Sequence, residues 1–480
     1  MNDSCFISRK LLITTAIIWL GLPLVIFLIG WLRPIIGWTL AIGVIWASFR
    51  TITGIKSPME VMVYVDSKFL IMTILLFLFT IFSGIGGLAY QDYWDHAFRN
   101  AVFNDLVNHS WPVTETIDGK IELLCYYFAF WLPAAIVAKL TGSMFLGNMV
   151  QLAYAFIGFM LIAIFVFNNI GEHKIKLWIL ILIPLFCGWD IIAFLISRPD
   201  LVKMMTMKEL YMVLKDIPFG GMSAPSLPTL ALFIYNQGIA SWVALGILYY
   251  QRTNIRHLLF LYSLLFLFAP IPTTGILPPL IYWMCKNMKS VFSVENLIGS
   301  FVFVVIGLYF LANNRTDRLN AVSYTLWEYI WKMSIVTFMS YVIYLPYIWK
   351  YVYRSVFFWI LFVITIIVPY FTLNNVSDLG SRVGIPLTYC FMMFVIKSMR
   401  DIRQWPYYKT IALMVTLIIG MVSSSGMYFS NMMKNYGCYV SGKSLRQDWM
   451  PTTFDAEVCP LKDNFVARGE SVFTKYLMKQ

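Results

Sequence analysis

Between Gln91 and Glu122 an otherwise apolar chain turns polar and acidic. Near the start of this stretch stands Asp92-Tyr93-Trp94-Asp95-His96. Asp105, Glu115, Asp118 and Glu122 follow, with only Arg99 and Lys120 as basic residues. A carboxylate held at a membrane surface beside an imidazole can act as general base toward a hydroxyl. On a helix Asp92 and His96 are one turn apart and share a face, whereas Asp95 lies on another. The structural alternative is a solvated helix start with Asp92 as its N-cap. His109 with Asp105 would complete a metal site with His96, so a divalent ion is an open expectation. No zinc-type ligand spacing appears and no motif calls for a cofactor.

Other constellations lie deeper in the apolar sequence. Asp190, in Cys187-Gly188-Trp189-Asp190-Ile191-Ile192, sits near the end of an apolar helix, where a carboxylate is costly unless it faces a cavity, a partner or water. Asn236-Gln237 interrupt an apolar segment; amides there bond neighbouring helices or line a polar cavity. Asp378 and Arg382 are four residues apart at the mouth of a helix. Arg382 suits a phosphate, which it can hold with two donors, and the bland reading is an i,i+4 ion pair of small value. Arg198, beside Asp200, is a weaker phosphate candidate, as are Arg315 and Arg318. Cys438 and Cys459, in the polar C-terminal region, are candidates for a disulfide if that region lies outside the cytoplasm.

The elements that must position these residues are membrane helices. Of 480 residues 60% are hydrophobic and 12% charged, with a mean hydropathy of +0.73. A soluble chain of that balance could not solvate its surface. Long continuous apolar runs such as 69–88 exclude a β-barrel. The net charge of +12 falls in short clusters between apolar runs. That is the positive-inside pattern, and it points to topology rather than to nucleic acid. The expected fold is all-α, a polytopic membrane protein with about thirteen crossings, near 11–31, 34–49, 69–89, 146–168, 177–196, 229–250, a hairpin over 258–285, 291–312, 326–346, 355–373, 383–398 and 408–428. The aromatic, proline-containing segment 123–140 is read as interfacial or re-entrant, because a crossing there would put most later basic clusters outside. The resulting organisation is a membrane domain over 1–429 and an outer tail over 430–480. Segments 91–122, 197–228, 313–325 and 374–382 share the tail's face. No Walker motif is present, which excludes an ATP-driven pump of that type.

Several stretches resemble the GT-C superfamily of integral-membrane glycosyltransferases. They are Asp95-His96 through Asn104-Asp105-Leu106 to Trp111-Pro112-Val113, then Gly188-Trp189-Asp190-Ile191-Ile192 and Tyr235-Asn236-Gln237. Ala269-Pro270 through Gly275-Ile276-Leu277-Pro278 and Asp378 through Arg382 to Ile385-Pro386 complete the set. Together they span about residues 90–390, each motif short. The size, topology and outer tail are similar to the phage-type O-antigen glucosyltransferases. Two features depart from the GT-C pattern. Two helices precede the acidic loop where many members have one, and Asp-Tyr-Trp-Asp-His replaces a plain acidic pair, which leaves the identity of the base between Asp92 and Asp95 open.

The resemblance implies an inverting transferase of a bacterial inner membrane, with its active face outside the cytoplasm. Its partners would be a polyprenyl-phosphate-linked sugar, a polysaccharide or lipid-linked glycan acceptor such as lipopolysaccharide O-antigen, and membrane lipid, with no nucleic acid. Asp92 or Asp95 would take the acceptor proton with His96 alongside. Arg382 with Arg198 would hold the departing phosphate, and Asp190, Asn236, Gln237 and Asp378 would line the cavity. The rival readings are a polysaccharide polymerase or ligase, which would carry a longer arginine-rich outer loop, and a lipid-linked glycan flippase, which would show repeat symmetry.

Overall fold

The computed structural model describes residues 5–91, 93–117, 119–197, 226–286, 288–313, 319–321, 325–373, 378–446 and 450–480. Helices dominate it, in keeping with the all-α expectation. In chain order the principal ones are α1 (Arg9–Trp31), α2 (Pro34–Thr53), α3 (Ser67–Phe82), α4 (Tyr93–Asn108), α5 (Leu132–Thr141), α6 (Met144–Asn169), α7 (Leu177–Leu185) and α8 (Asp190–Ser197). Then come α9 (Leu227–Phe233), α10 (Tyr235–Tyr250), α11 (Leu258–Phe266), α12 (Pro270–Cys285) and α13 (Val294–Leu311). The series closes with α14 (Leu326–Ser340), α15 (Leu345–Val352), α16 (Val356–Ile367), α17 (Asp378–Val383), α18 (Ile385–Met399) and α19 (Tyr407–Ser441). Side-chain caps start many of them: Ser8, Asp66, Ser143, Ser226, Ser293 and Thr325 each accept from a backbone N–H of the first turn, which satisfies a donor that the helix cannot.

Among the described residues, six helices are long and apolar enough to cross a membrane: Arg9–Trp31, Pro34–Thr53, Met144–Asn169, Leu177–Ile196 taken across its break, Val294–Leu311 and Tyr407–Ser441. About thirteen crossings are expected from the sequence, and the shortfall has local causes. The segment expected to run to residue 89 ends at Phe82, because Gly84, Gly86 and Gly87 all adopt positive φ (78°, 80° and 76°), a conformation that ends a helix. The 177–196 segment breaks after Pro184. The 229–250 segment breaks at Ile234, whose φ is −137°. Ala269 leaves the helical region before Pro270 and separates α11 from α12, as the residue before a proline tends to do. The 123–140 segment contains the short 3-10 turn Ala129–Trp131 and the ten-residue α5; α5 rises about 15 Å, half a hydrocarbon core. The last helix overshoots its expected end and reaches Ser441, so the tail starts later than 430.

At the centre of the bundle α10 is buried on every side from Tyr235 to Leu248, the mark of a helix surrounded by other helices. α11 and α18 are similarly enclosed, α6 buries most of its length, and all three belong with α10 to one continuous apolar core.

Three short strands organise one end. β3 (Thr114–Ile117) and β4 (Lys120–Leu124) form a hairpin, and β7 (Val466–Arg468), numbered after two further strands, adds to β4 antiparallel. The tail also reaches the α1–α2 turn, where Arg33 N–H donates to Leu477 O and Lys479 N–H to Trp31 O. Asn313 Nδ2 donates to Cys125 O and Asn464 O. The first polar segment, the α1–α2 turn, the end of α13 and the tail therefore occupy one end of the bundle. At this end too, β5 (Leu319–Ala321) pairs with β6 (Phe371–Leu373).

The opposite end gathers the basic clusters. β1 (Phe6–Ser8) pairs with β2 (Val61–Tyr64). Arg9 pairs with Glu60, Arg400 with Glu172 and Lys350 with Asp401. Glu295 receives both Arg50 and Arg256.

Candidate active site

The site is built on the first turns of α4. Asp95 in that first turn favours the helix N-terminus and accepts from Arg99 Nη2 at 3.1 Å, one turn on. Asp95 is 41% exposed, whereas the Arg99 side chain is 5% exposed and its Nε and Nη1 have no acceptor among the described residues. A buried guanidinium with idle donors is costly unless a ligand or water meets them. His96 and Arg99 both lean on Tyr235, the first residue of α10. The imidazole lies over the phenol ring at 5.7 Å and 29°, and the guanidinium over it at 5.3 Å.

His96 is 2% exposed and its Nδ1 has no hydrogen-bond partner among the described residues. Desolvation, reinforced by the charges of Arg99 and Arg446, pushes its pKa from 6.5 down to about 3. Near neutral pH it is thus an uncharged imidazole rather than a cationic partner for a carboxylate.

Two further arginines approach from distant parts of the chain. Arg382, in α17, donates to the Tyr127 hydroxyl and lies 5.5 Å from the centre of the Tyr127 ring. Tyr127 and Tyr126 are neighbours with ring centres 3.7 Å apart, and Tyr126 feels the charges of both Arg382 and Arg99. Arg446, from the tail, acts electrostatically on both His96 and Tyr235. Its guanidinium lies against Gly87, where a Cβ would collide with it and where φ is +76°, so this close approach needs glycine. A bridge between Gln91 and Arg446 fixes the chain there. Three guanidinium groups and three tyrosines thus gather near α4, Arg99 and Arg446 at Tyr235 and Arg382 at Tyr127, with Tyr126 under the charges of both Arg99 and Arg382. The chemistry such a group can offer is binding of a phosphate by charge and paired donors, beside aromatic faces for an apolar or sugar ring.

Asn236 and Gln237 follow Tyr235 directly. Both are fully buried, and all four of their side-chain amide atoms lack a partner among the described residues. Two consecutive buried amides with nothing to bond are rare in a finished core, which favours the cavity-lining role over a structural one.

Asp190 is held apart from this group. It is fully buried, accepts from Cys187 Sγ at 2.8 Å and from Ser340 Oγ at 3.1 Å, and so ties the break between α7 and α8 to the end of α14. Asp105 is also buried. Its Oδ2 accepts from the N–H and hydroxyl of Thr453 at 2.8 and 2.6 Å, and burial raises its pKa from the ordinary 3.8. This carboxylate anchors the tail. The metal site imagined over His96, Asp105 and His109 is not assembled. His96 faces Tyr235, Asp105 faces Thr453, and among the described residues no three His, Cys, Asp or Glu side chains gather as ligands.

The expected disulfide is not formed either. Cys438 is buried near the end of α19 and Cys459 is buried in the tail's apolar core. The helix continues through Cys438, which separates the two surroundings. Asp92, Arg198, Asp200, Arg315 and Arg318 lie outside the described residues. Asp378 opens α17 four residues before Arg382.

The sequence reading missed Arg99, Arg446 and the three tyrosines as site residues. Arg99 carried a usable signal, its i,i+4 spacing from Asp95. Arg446 carried none, since about 350 residues separate it from α4.

Beside the site, an apolar groove of about 250 Å³ is lined by residues that include Met72, Leu76, Phe79, Pro184 and Tyr428. The Tyr428 hydroxyl is 3.2 Å from Ser83 Oγ, and the Ser83 backbone lies against His96.

Compared with protein-family models, with curated proteins and with solved structures, the chain matches none.

Proposed function

We propose that this chain is an inverting glycosyltransferase that moves one sugar from a polyprenyl-phosphate donor to a hydroxyl of an envelope glycan. In this reading it lies in a bacterial inner membrane with the α4 end facing outward. The thirteen expected crossings are then made by the six long helices together with shorter and broken ones crossing jointly. One observation carries the proposal: Arg99, Arg382 and Arg446 converge on a tyrosine-lined site at the start of the acidic helix. A phosphate leaving group is what such a cluster can stabilise. The apolar groove by Tyr428 and Ser83 supports a lipid-borne donor, because it offers a polyprenyl chain a dry path toward the same point. An outer-face transferase also has no access to cytoplasmic sugar nucleotides.

The acceptor oxygen attacks the anomeric carbon as the carbon–phosphate oxygen bond breaks. The proton passes to a carboxylate, and the polyprenyl phosphate leaves with the bonding pair toward the arginines. Asp95 is engaged with Arg99, which suits it to positioning that arginine and leaves Asp92 the base. Arg382 holds the phosphate, and Arg198 would join it. Asn236 and Gln237 meet sugar hydroxyls, Asp378 would join them in lining the cavity, and His96 supplies a neutral hydrogen-bonding contact; Asp190, bonded to Cys187 and Ser340, has a structural part instead.

The test is mass analysis of envelope glycans from cells with and without the chain, with Asp92→Asn and Asp95→Asn variants at matched membrane abundance. One added sugar per repeat is expected. It should be lost in Asp92→Asn, while Asp95→Asn should respond to extra donor in membranes assayed with lipid-linked sugar. An unchanged repeat mass with altered chain length would sink the transferase reading.

A further inference from the structure

At the end of the bundle opposite the candidate active site, a cavity of about 790 Å³ opens among the ends of α1, α2, α10 and α13. Five of its lining residues are cationic: Arg9, Arg50, Lys56, Arg252 and Arg256. Its lining holds a single carboxylate, Glu295. We propose that this cavity binds the phosphate headgroup of an acidic membrane lipid.

A preference for basic residues at the cytoplasmic ends of helices would place cations here for topology alone. It does not explain their convergence around a concavity. Glu295 is fully buried at the start of α13 and receives Arg50 at 3.8 Å and Arg256 at 3.3 Å. One carboxylate thus orients two arginines that remain about half exposed, at 46% and 51%, and it cannot neutralise both. Arg9 spends its charge on Glu60, yet its buried Nε has no acceptor among the described residues and it stacks over the Tyr250 ring at 5.4 Å. Lys56 and Arg252 add charge that no cavity carboxylate offsets. The result is a preformed, strongly positive hollow with an idle buried donor, the arrangement that a phosphate with several acceptor oxygens fills.

The apolar surroundings identify the source of that phosphate. α2 and α13 pack against each other at Gly43 and Ile298. Near the cavity both helices expose large apolar side chains, among them Ile45, Phe49, Leu297 and Phe301. A headgroup in the cavity would leave its acyl chains along these faces, whereas a soluble phosphate would use none of them. Basic pockets between helices at this level are suited to anionic headgroups.

The test uses the full purified chain in mild detergent, exposed to equal amounts of phosphatidylglycerol and phosphatidylcholine and read by native mass spectrometry. Phosphatidylglycerol should be retained preferentially. The Lys56→Gln/Arg252→Gln pair spares the two arginines held by Glu295 and so keeps the fold. It should cut that preference roughly thirtyfold, while Lys68→Gln, outside the cavity, should leave it intact. Equal retention of the two lipids would overturn the proposal, as would an unaltered preference in the double variant. Binding of inorganic phosphate or ADP without lipid retention would overturn the lipid assignment.

Discussion

His96 makes a sharp demand on the pH dependence of this fold. Its pKa falls from 6.5 to about 3 on burial. Between those values the unfolded chain binds a proton that the folded chain refuses, so stability declines as pH drops through the window. Each pH unit below 6.5 costs about 1.4 kcal/mol, so acidification to pH 5 removes about 2 kcal/mol and to pH 4 about 3 kcal/mol. Asp105 contributes with the opposite sign. Its pKa is raised, so its part of the stability is lost as pH rises through its folded value. A pH series on the wild type alone therefore mixes the two, and the His96→Phe variant separates them. The assay is unfolding of detergent-solubilised protein followed by tryptophan fluorescence from pH 7.5 to 4. The variant should lose less stability than wild type on acidification, by about 2 kcal/mol at pH 5. Curves that stay parallel across this range would refute the reasoning, because they would mean that His96 keeps an ordinary, hydrated pKa in the folded state.

Two more predictions follow from unpaired and paired buried groups. Asn236→Leu removes an amide that bonds nothing among the described residues, so it should leave stability equal or raise it by about 1 kcal/mol while lowering sugar transfer. A marked loss of stability in chemical denaturation would show that the amide is structural. Thr453→Val removes the hydroxyl that donates to buried Asp105 at 2.6 Å. It should cost about 2 kcal/mol and make the tail more open to limited proteolysis; an unchanged digestion pattern would mean that the strand pairing of β7 with β4 holds the tail without it.

Much was legible from local chemistry. Serine, threonine and aspartate caps at helix starts, the glycines at 84, 86 and 87 that stop α3 and the proline at 184 that breaks its segment are local signals, although the crossings expected over 69–89 and 177–196 ran through the last two. Charge clusters sort the two ends of the bundle, and contacts such as Arg400 with Glu172 and Arg50 with Glu295 form at the end where the basic clusters gather. These features depend on a few neighbouring residues, so the linear order suffices to read them. Length of apolar sequence was a weaker guide. It overcounted long helices because a run of hydrophobic residues does not reveal a break such as that at Ile234, which only packing around α10 accounts for.

Within the candidate site, composition singled out the acidic stretch, and the Asp378 to Arg382 spacing singled out the arginine that meets Tyr127. It was the tertiary structure alone that brought Arg446 of the tail to His96 and Tyr235, turned Asp105 toward Thr453 and kept Cys438 apart from Cys459. The physical reason is that side-chain periodicity encodes which face of an element is apolar, while the meeting of polar groups hundreds of residues apart follows from how the packed helices and the added strand close around one another, which no local period records.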